Sequence, residues 1–178
     1  MAETTRAALD RARQVRLMIF DVDGVLTDGR LWYGPSGESF KAFHSLDGHG
    51  VKMLAASGVP AAILSGRSSK AVSRRAAELG IEHVLQGIED KRTAFDALTA
   101  RLGLKPSAVG YMGDDLVDLP VLVRCGFACA PSEAPEAVRR HAHYVSAAPA
   151  GSGAVREVCE LVMRAQDTLE RALAAYLS

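Results

Sequence analysis

LMIFDVDGVLTDG, from Leu17 to Gly29, is the segment that most strongly indicates the fold of this chain, and its charges need a chemical explanation. An apolar, strand-like run ends at two carboxylates, Asp21 and Asp23, and a glycine follows them. Side chains two apart on an extended chain leave on the same face. Like charges that close repel each other unless a cation or hydrogen bonds compensate. Either the two aspartates cap the following segment, or a cation lies between them.

Length and composition limit the classes of function. The chain has 178 residues, 48% hydrophobic and 24% charged, which predicts a single domain over residues 1–178. A formal net charge of zero argues against a strongly basic nucleic-acid or membrane-surface binder. No apolar stretch approaches the ~20 residues of a membrane helix, and the polar N-terminus does not resemble a secretory signal. We therefore expect a cytoplasmic protein with neither nucleic acid nor membrane as a partner.

Short apolar runs alternate with amphipathic segments along the chain. The predicted strands are Leu17–Phe20, Pro60–Leu64, His83–Leu85, Val109–Met112, Phe127–Ala130 and Tyr144–Val145. The predicted helices are His49–Ser57, Ser69–Leu79, Lys91–Leu102 and Leu116–Arg124. This alternation predicts an α/β fold, a Rossmann-like and mainly parallel sheet with helices on both faces.

Polar residues directly follow several of these strands. They are Asp21 after the first strand, Ser65, Gly66 and Arg67 after the second, and Asp114 and Asp115 after the fourth. Lys91 opens the helix that follows the third strand. Ligands of parallel sheets bind beyond the carboxyl ends of the strands, so we expect all of these residues at one site.

One segment interrupts the alternation. Residues 30–43, RLWYGPSGESFKAF, are typical of a β-hairpin that turns at Gly34–Gly37. An insertion of this size is too small to form a cap domain. Its aromatic side chains need cover, either from their own domain or from another subunit, and we favour the second. These side chains are Trp32, Tyr33, Phe40 and Phe43.

A divalent cation would explain the paired carboxylates. Mg²⁺ takes oxygen ligands and is usually held by few carboxylates together with water and phosphate. Asp21 and Asp23 supply two such groups, and Asp114, which follows a later strand, can complete the shell. Asp115 or Asp118 would then support these metal ligands without being one of the three. The sequence thus favours a magnesium site.

The same residues suit phosphoryl transfer. Asp21 can attack phosphorus to form an aspartyl-phosphate, which divides one difficult step into two easier ones. Lys91 would supply positive charge, and Ser65 and Gly66 would hold the phosphoryl oxygens. Asp23 would protonate the leaving alkoxide and then activate the water that cleaves the intermediate.

The ordered set of motifs resembles the haloacid dehalogenase superfamily of phosphohydrolases. It reads DVDGVLTDG, then SGR, then a lysine, then GDDLVD. The resemblance implies that Asp21 is the nucleophile and a metal ligand, and that Asp23 is the acid/base and binds the metal through its carbonyl. It also implies phosphate contacts from Ser65 and Lys91, and a late metal ligand in Asp114. The missing cap resembles the capless branch, whose members form tetramers in which neighbours close the active site.

A narrower resemblance covers nearly the whole chain, from about Ala12 to Gln166. The stretches DVDGVLTDGRLWYGPSGESFKAFHSLDGHG, GRSSKAVSRRAAELGI, YMGDDLVDLPV and GAVREVCELV are similar to the 3-deoxy-D-manno-octulosonate 8-phosphate phosphatase family. This resemblance implies Mg²⁺-dependent hydrolysis of that sugar-acid phosphate to phosphate and free 3-deoxy-D-manno-octulosonate (KDO). The KDO would then be used in lipopolysaccharide assembly. It further implies a homotetramer built partly from the hairpin, with active sites near subunit interfaces. The C-terminal segment, residues 150–178, would reach a neighbour's site.

One position departs from the family pattern. Ser152 stands where an arginine is usual, in the run AGSGAVRE from Ala150 to Glu157. An arginine can bind an anionic substrate with two parallel hydrogen bonds, and a serine cannot. The departure concerns closure over the substrate and leaves the hydrolytic residues unchanged.

The sequence leaves two interpretations open for several residues and for the protein as a whole. Arg67 contacts the carboxylate of the substrate or pairs with a surface acid, and Asp47 lines the mouth of the site or caps the helix near His49. Asp118 is a site residue or an ordinary helix residue. For the whole protein, a phosphatase acting on a nine-carbon sialic-type acid 9-phosphate would share the same core. A non-catalytic tetrameric scaffold is the alternative from another class, although every catalytic position is filled by a suitable residue type.

Overall fold

The computed structural model describes residues 2–35 and 37–177. Its strands are β1 (Leu17–Phe20), β2 (Trp32–Gly34), β3 (Gly37–Phe40), β4 (Ala61–Leu64), β5 (His83–Leu85), β6 (Val109–Met112), β7 (Phe127–Ala130) and β8 (Tyr144–Val145). Its helices are α1 (Ala2–Ala12), α2 (Ser45–Ala56), α3 (Lys70–Leu79), α4 (Lys91–Arg101), α5 (Leu119–Leu122), α6 (Glu136–Arg139), α7 (Ala154–Ala165) and α8 (Leu169–Ala174).

Six strands form one parallel sheet in the order β5-β4-β1-β6-β7-β8. From β1 the chain adds β4 and β5 on one side of the sheet, and it then crosses over to add β6, β7 and β8 on the other side. Ligands of such sheets bind where the strand order changes direction in this way. All six strands lie where the sequence predicts them, except that β4 begins one residue after Pro60. The predicted parallel α/β fold is confirmed.

Two apolar layers cover the two faces of the sheet. In β1, Met18 and Phe20 face a cluster that includes residues of α1, α2 and α7. Leu17 and Ile19 face the opposite cluster, which includes residues of α4 and α5. This alternation follows from the period of two in a strand, and burial on both faces explains why β1 is apolar throughout.

Two helices differ from the sequence prediction. Helix α2 begins at Ser45, four residues before the predicted start at His49. The segment predicted as a helix from Leu116 to Arg124 is a 3₁₀ turn followed by the four-residue helix α5. Pro120 lies at the start of α5, where a missing backbone N–H costs nothing.

The insertion after β1 is the predicted hairpin. Strands β2 and β3 pair antiparallel, and Ser36 of the predicted turn lies outside the described residues. Trp32, Tyr33 and Phe40 are 53%, 64% and 67% exposed. Phe43 instead packs against the core of its own domain, whereas cover of the other three aromatic side chains by another subunit stays a prediction.

No helix within residues 2–35 and 37–177 has both the length and the apolar character that crossing a membrane requires.

Candidate active site

A cleft of about 300 Å³ lies at the carboxyl edge of the sheet, where the loops after β1, β4 and β6 meet the start of α4. Each loop brings polar residues to the same place because neighbouring parallel strands end at one edge. Its lining residues are Asp21, Asp23, Gly29, Ser65, Gly66, Arg67, Lys91, Asp114, Asp115 and Val117. The site predicted from strand ends is therefore assembled in the folded chain.

Three carboxylates crowd together beside this cleft. Oxygen atoms of Asp21, Asp114 and Asp118 all lie within 4.8 Å of one another. Burial and the charge of Asp118 raise the pKa of Asp21 to about 6. Burial and the charge of Asp21 raise the pKa of Asp114 to about 7. Both shifts arise mainly from burial of the carboxylates, and the neighbouring negative charges add to them.

These carboxylates fit a hard divalent cation such as Mg²⁺. Asp114 Oδ1 is buried and receives no hydrogen bond from any described residue, so a buried acceptor is available to a cation. The loop after β1 approaches Asp114 closely at Gly24, where a Cβ atom would overlap the Asp114 carboxylate. Gly24 also has a φ of +84°, a conformation that glycine adopts readily.

Lys91 forms ion pairs with two of these carboxylates, Asp21 and Asp118. Its ammonium lies 2.9 Å from Asp21 Oδ2 and 2.6 Å from Asp118 Oδ1. Burial by itself would lower the pKa of Lys91, but the charges of Asp21 and Asp118 outweigh burial and raise it. Lys91 therefore stays protonated and presents positive charge to the nucleophile position.

Asp118 organises the loop after β6. Its Oδ1 accepts from Lys91 and from the buried Tyr111 hydroxyl. Its Oδ2 accepts the backbone N–H groups of Asp114 at 3.0 Å and Asp115 at 3.1 Å. Both oxygens of Asp118 thus accept hydrogen bonds, which suits a residue that positions Asp114, the predicted metal ligand. Asp115 is exposed and accepts from the Leu116 N–H, an arrangement that caps the following turn.

Asp23 lies on the hairpin side of the cleft. Lys41 pairs with its Oδ1, and Arg67 Nε lies 3.8 Å from its Oδ2. A second Arg67 nitrogen donates to the Tyr33 hydroxyl at 2.7 Å. Ser65 is buried, 2% exposed, and accepts the Arg67 N–H.

The sequence reasoning missed Lys41 and Tyr111. Lys41 lies in the hairpin run RLWYGPSGESFKAF, where its residue type predicts exposure, because lysine is rarely buried. Tyr111 is the one hydroxyl-bearing residue in the strand VGYM, directly before the acidic loop. The sequence around Lys41 and Tyr111 does not indicate which side chain either residue would contact.

The substrate-binding role predicted for Asp47 does not fit the structure. Asp47 is 1% exposed and does not line the cleft. It lies in the first turn of α2 and accepts the backbone N–H groups of Gly153 at 3.3 Å and Arg156 at 2.8 Å. Asp47 therefore caps the start of α7, because its carboxylate satisfies N–H groups that a helix leaves unpaired.

The segment before α7 packs on the loop after β1 of the same chain. The Gly151 N–H donates to Val25 O at 3.2 Å, and Ser152 is exposed beside it. A Cβ at Gly151 would overlap the backbone of Thr27 and Asp28, so glycine permits this close approach.

The fold and the site together define a class of protein. A parallel sheet that carries an aspartate cluster, a buried lysine and a hairpin in place of a cap is the architecture of a capless haloacid dehalogenase-like phosphatase. A family profile described as haloacid dehalogenase-like hydrolase matches residues 84–158.

Relatives of known name narrow the class. The 3-deoxy-D-manno-octulosonate 8-phosphate phosphatase KdsC of Yersinia pestis is 45% identical over 164 residues, covering 92% of this chain and 88% of the relative. The crystal structure of a probable YrbI family phosphatase from Pseudomonas syringae is 50% identical, with a TM-score of 0.95 and coverage of 97% of this chain and 98% of the other. The Moraxella catarrhalis 3-deoxy-D-manno-octulosonate 8-phosphate phosphatase, in complex with magnesium, phosphate and KDO, is 42% identical with a TM-score of 0.93, covering 95% and 97%. The chain belongs to the 3-deoxy-D-manno-octulosonate 8-phosphate phosphatase family.

Proposed function

We propose that this protein hydrolyses 3-deoxy-D-manno-octulosonate 8-phosphate to KDO and inorganic phosphate with Mg²⁺ as cofactor. The observation that carries the proposal is the assembly of Asp21, Lys91 and Asp114 in one cleft, in the sequence order of the family. The relative from Moraxella catarrhalis, which was solved with magnesium, phosphate and KDO, supports the same conclusion.

Asp21 is the proposed nucleophile. Its carboxylate attacks phosphorus, and the ester oxygen of the sugar leaves as the aspartyl-phosphate forms. Lys91, 2.9 Å from Asp21, keeps this carboxylate oriented and adds positive charge beside the phosphoryl group. Ser65 and Gly66 line the cleft where the phosphoryl oxygens would be held.

The metal ligands are proposed to be the Asp21 and Asp114 carboxylates together with the Asp23 carbonyl. Asp118 and Asp115 support them through the hydrogen bonds within the acidic loop. When bound, Mg²⁺ supplies positive charge that offsets the carboxylates and the phosphoryl oxygens.

Asp23 is the proposed acid and base. It protonates the leaving sugar oxygen, and the ionised carboxylate then takes a proton from the water that cleaves the aspartyl-phosphate. Its Oδ2 is a buried oxygen that no described residue reaches with a hydrogen bond, which leaves it available for this proton.

Arg67 is the proposed contact for the carboxylate of the sugar acid. Its side chain is 44% exposed, and Tyr33 accepts one of its hydrogen bonds. A guanidinium can form two parallel hydrogen bonds with a carboxylate, which suits the carboxylate of a sugar acid.

A panel of phosphate esters tests the function. Phosphate release with Mg²⁺ should be fastest for 3-deoxy-D-manno-octulosonate 8-phosphate, slower for a sialic-type acid 9-phosphate, and slow for a generic aryl phosphate. If neither sugar-acid phosphate is turned over much faster than the aryl ester, the proposed substrate is wrong. A correctly folded, metal-loaded protein that cleaves no ester would favour the non-catalytic scaffold.

Further properties are proposed for the whole protein. We infer a single domain over residues 1–178, a cytoplasmic location and a role in lipopolysaccharide synthesis, all from the family membership. We also infer a homotetramer with active sites near its interfaces. The exposed hairpin aromatics Trp32, Tyr33 and Phe40 support it, because surface clusters of large apolar side chains mark protein contacts.

A further inference from the structure

The ammonium of Lys41 is buried against the acid/base of the proposed reaction. The Lys41 side chain is 1% exposed and pairs with Asp23 Oδ1. Burying a charge is costly unless a specific partner compensates it. Lys41 directly follows β3, so this pair connects the base of the hairpin to the loop after β1.

The two oxygens of Asp23 lie in different surroundings. Oδ1 is held by Lys41, whereas Oδ2 receives no hydrogen bond from residues 2–35 and 37–177. Arg67 Nε, 3.8 Å away, is too far from Oδ2 for a hydrogen bond. The ammonium therefore determines which oxygen remains available to carry a proton in the cleft.

We propose that Lys41 is a positioning residue for the reaction, an inference that rests on the proposed phosphatase function. By holding Oδ1, it fixes the Asp23 carboxyl group so that Oδ2 delivers the proton. The P–O bond to the sugar breaks and its electron pair goes to the sugar oxygen, which takes the proton from Oδ2. The ionised Asp23 then recovers a proton from the water that hydrolyses the aspartyl-phosphate.

Dependence on the leaving group distinguishes this role from a purely structural one. A sugar alkoxide is a poor leaving group that needs a proton, whereas p-nitrophenolate leaves without one. Lys41→Met should lower kcat/KM for the sugar-acid phosphate by about 10²-fold, the lower end of what general acid–base catalysis contributes, and for p-nitrophenyl phosphate by less than about threefold. Because kcat/KM ends at the first irreversible step, hydrolysis of the shared intermediate does not enter the comparison.

The informative quantity is the ratio of the two kcat/KM values. Partial unfolding of the variant lowers both values equally and leaves their ratio unchanged. Lys105→Met is the matched control, since Lys105 is exposed and precedes β6 at the opposite edge of the sheet. The control should keep the ratio of the unaltered protein.

A double-mutant cycle with Asp23→Asn tests whether Lys41 acts through Asp23. Lys41→Met should lower the ratio little further in that background, because residues that act as a unit are not additive. An unchanged ratio in the single variant overturns the proposal, and so does an equally large fall in the Asp23→Asn background. If the unaltered protein prefers another alkyl phosphate, the substrate proposal fails, while the same ratio taken with that ester still decides the role of Lys41.

Discussion

At the scale of single residues, the site is governed by the cost of buried charge. Asp21, Lys91 and Asp118 are all buried and form a compact group of two carboxylates and one ammonium. The Lys91 ammonium offsets part of the cost of burying the two carboxylates, and the pKa of Asp21 nevertheless stays raised. The motif order located these residues correctly, but the sequence did not reveal that Tyr111 and Lys41 complete their surroundings.

Replacing the nucleophile tests the covalent route. Asp21→Asn should lower turnover of the sugar-acid phosphate by at least about 10³-fold, because the covalent pathway has no other nucleophile. The variant should still fold and assemble, since asparagine has nearly the same shape. Phosphate release and light scattering measure the two effects, with Asp10→Asn on α1 as the exposed control. Turnover close to that of the unaltered protein would remove Asp21 from its proposed role.

Metal binding should depend on pH in a defined direction. The folded-state pKa values of Asp21 and Asp114, about 6 and about 7, lie above the ordinary 3.8. The folded state therefore binds these protons more readily, so both groups favour folding at low pH and that contribution is lost as pH rises from about 4 through about 7. A bound cation offsets this loss, because it binds the ionised pair in the folded state.

The expected result is a larger rise in Tm on adding Mg²⁺ at about pH 8 than at about pH 5. Thermal melting at matched Mg²⁺ concentrations measures it. Asp114→Asn removes one of the two carboxyl groups whose pKa is raised, so this variant should lose most of the Mg²⁺-dependent rise in Tm. Equal shifts at the two pH values would argue against a cation between these carboxylates.

At the scale of elements, the site depends on contacts that tie its loops together. The hairpin reaches the loop after β1 through Lys41 and the loop after β4 through Tyr33. Helix α2 holds the start of α7 through Asp47, and the segment before α7 in turn packs on the loop after β1. The hairpin was predictable from its turn residues, whereas the hydrogen bonds and ion pairs that connect it and α2 to other elements were not.

Asp47 should matter for stability and not for substrate affinity. Asp47→Ala leaves two N–H groups at the start of α7 without their acceptor, which should cost about 1–3 kcal/mol of unfolding free energy. Urea denaturation measures this cost, and Asp10→Ala on the exposed surface of α1 is the control. KM of the folded variant should stay unchanged. A large increase in KM with normal stability would restore the substrate-binding role predicted from sequence.

At the scale of the whole molecule, the hairpin leaves apolar surface uncovered. Trp32, Tyr33 and Phe40 are all more than half exposed on a segment that projects beside the cleft. A neighbouring subunit that covers them would also lie close to Arg67, which contacts Tyr33. Assembly and substrate access would then be linked through one surface.

The proposed tetramer should depend on this surface. Trp32→Ser combined with Phe40→Ser should weaken each contact by about 2 kcal/mol or more, the scale of aromatic interface residues, and shift the protein to smaller species. Light scattering at micromolar concentration measures the mass, and Val123→Ser, another exposed apolar position, is the control. An unaltered protein that is monomeric under these conditions would refute the tetramer.

The parallel sheet, the hairpin and the edge at which Asp21, Lys91 and Asp114 meet were all predictable from the order of residues along the chain. These features follow from local patterns, since strand periodicity and turn residues act over a few positions. Three contacts became visible only in the folded chain: Lys41 pairs with Asp23, Tyr111 donates to Asp118, and Asp47 caps α7 from 106 positions away. The physical reason is that a buried polar group takes whatever partner the packing brings to it, and no local spacing encodes that partner.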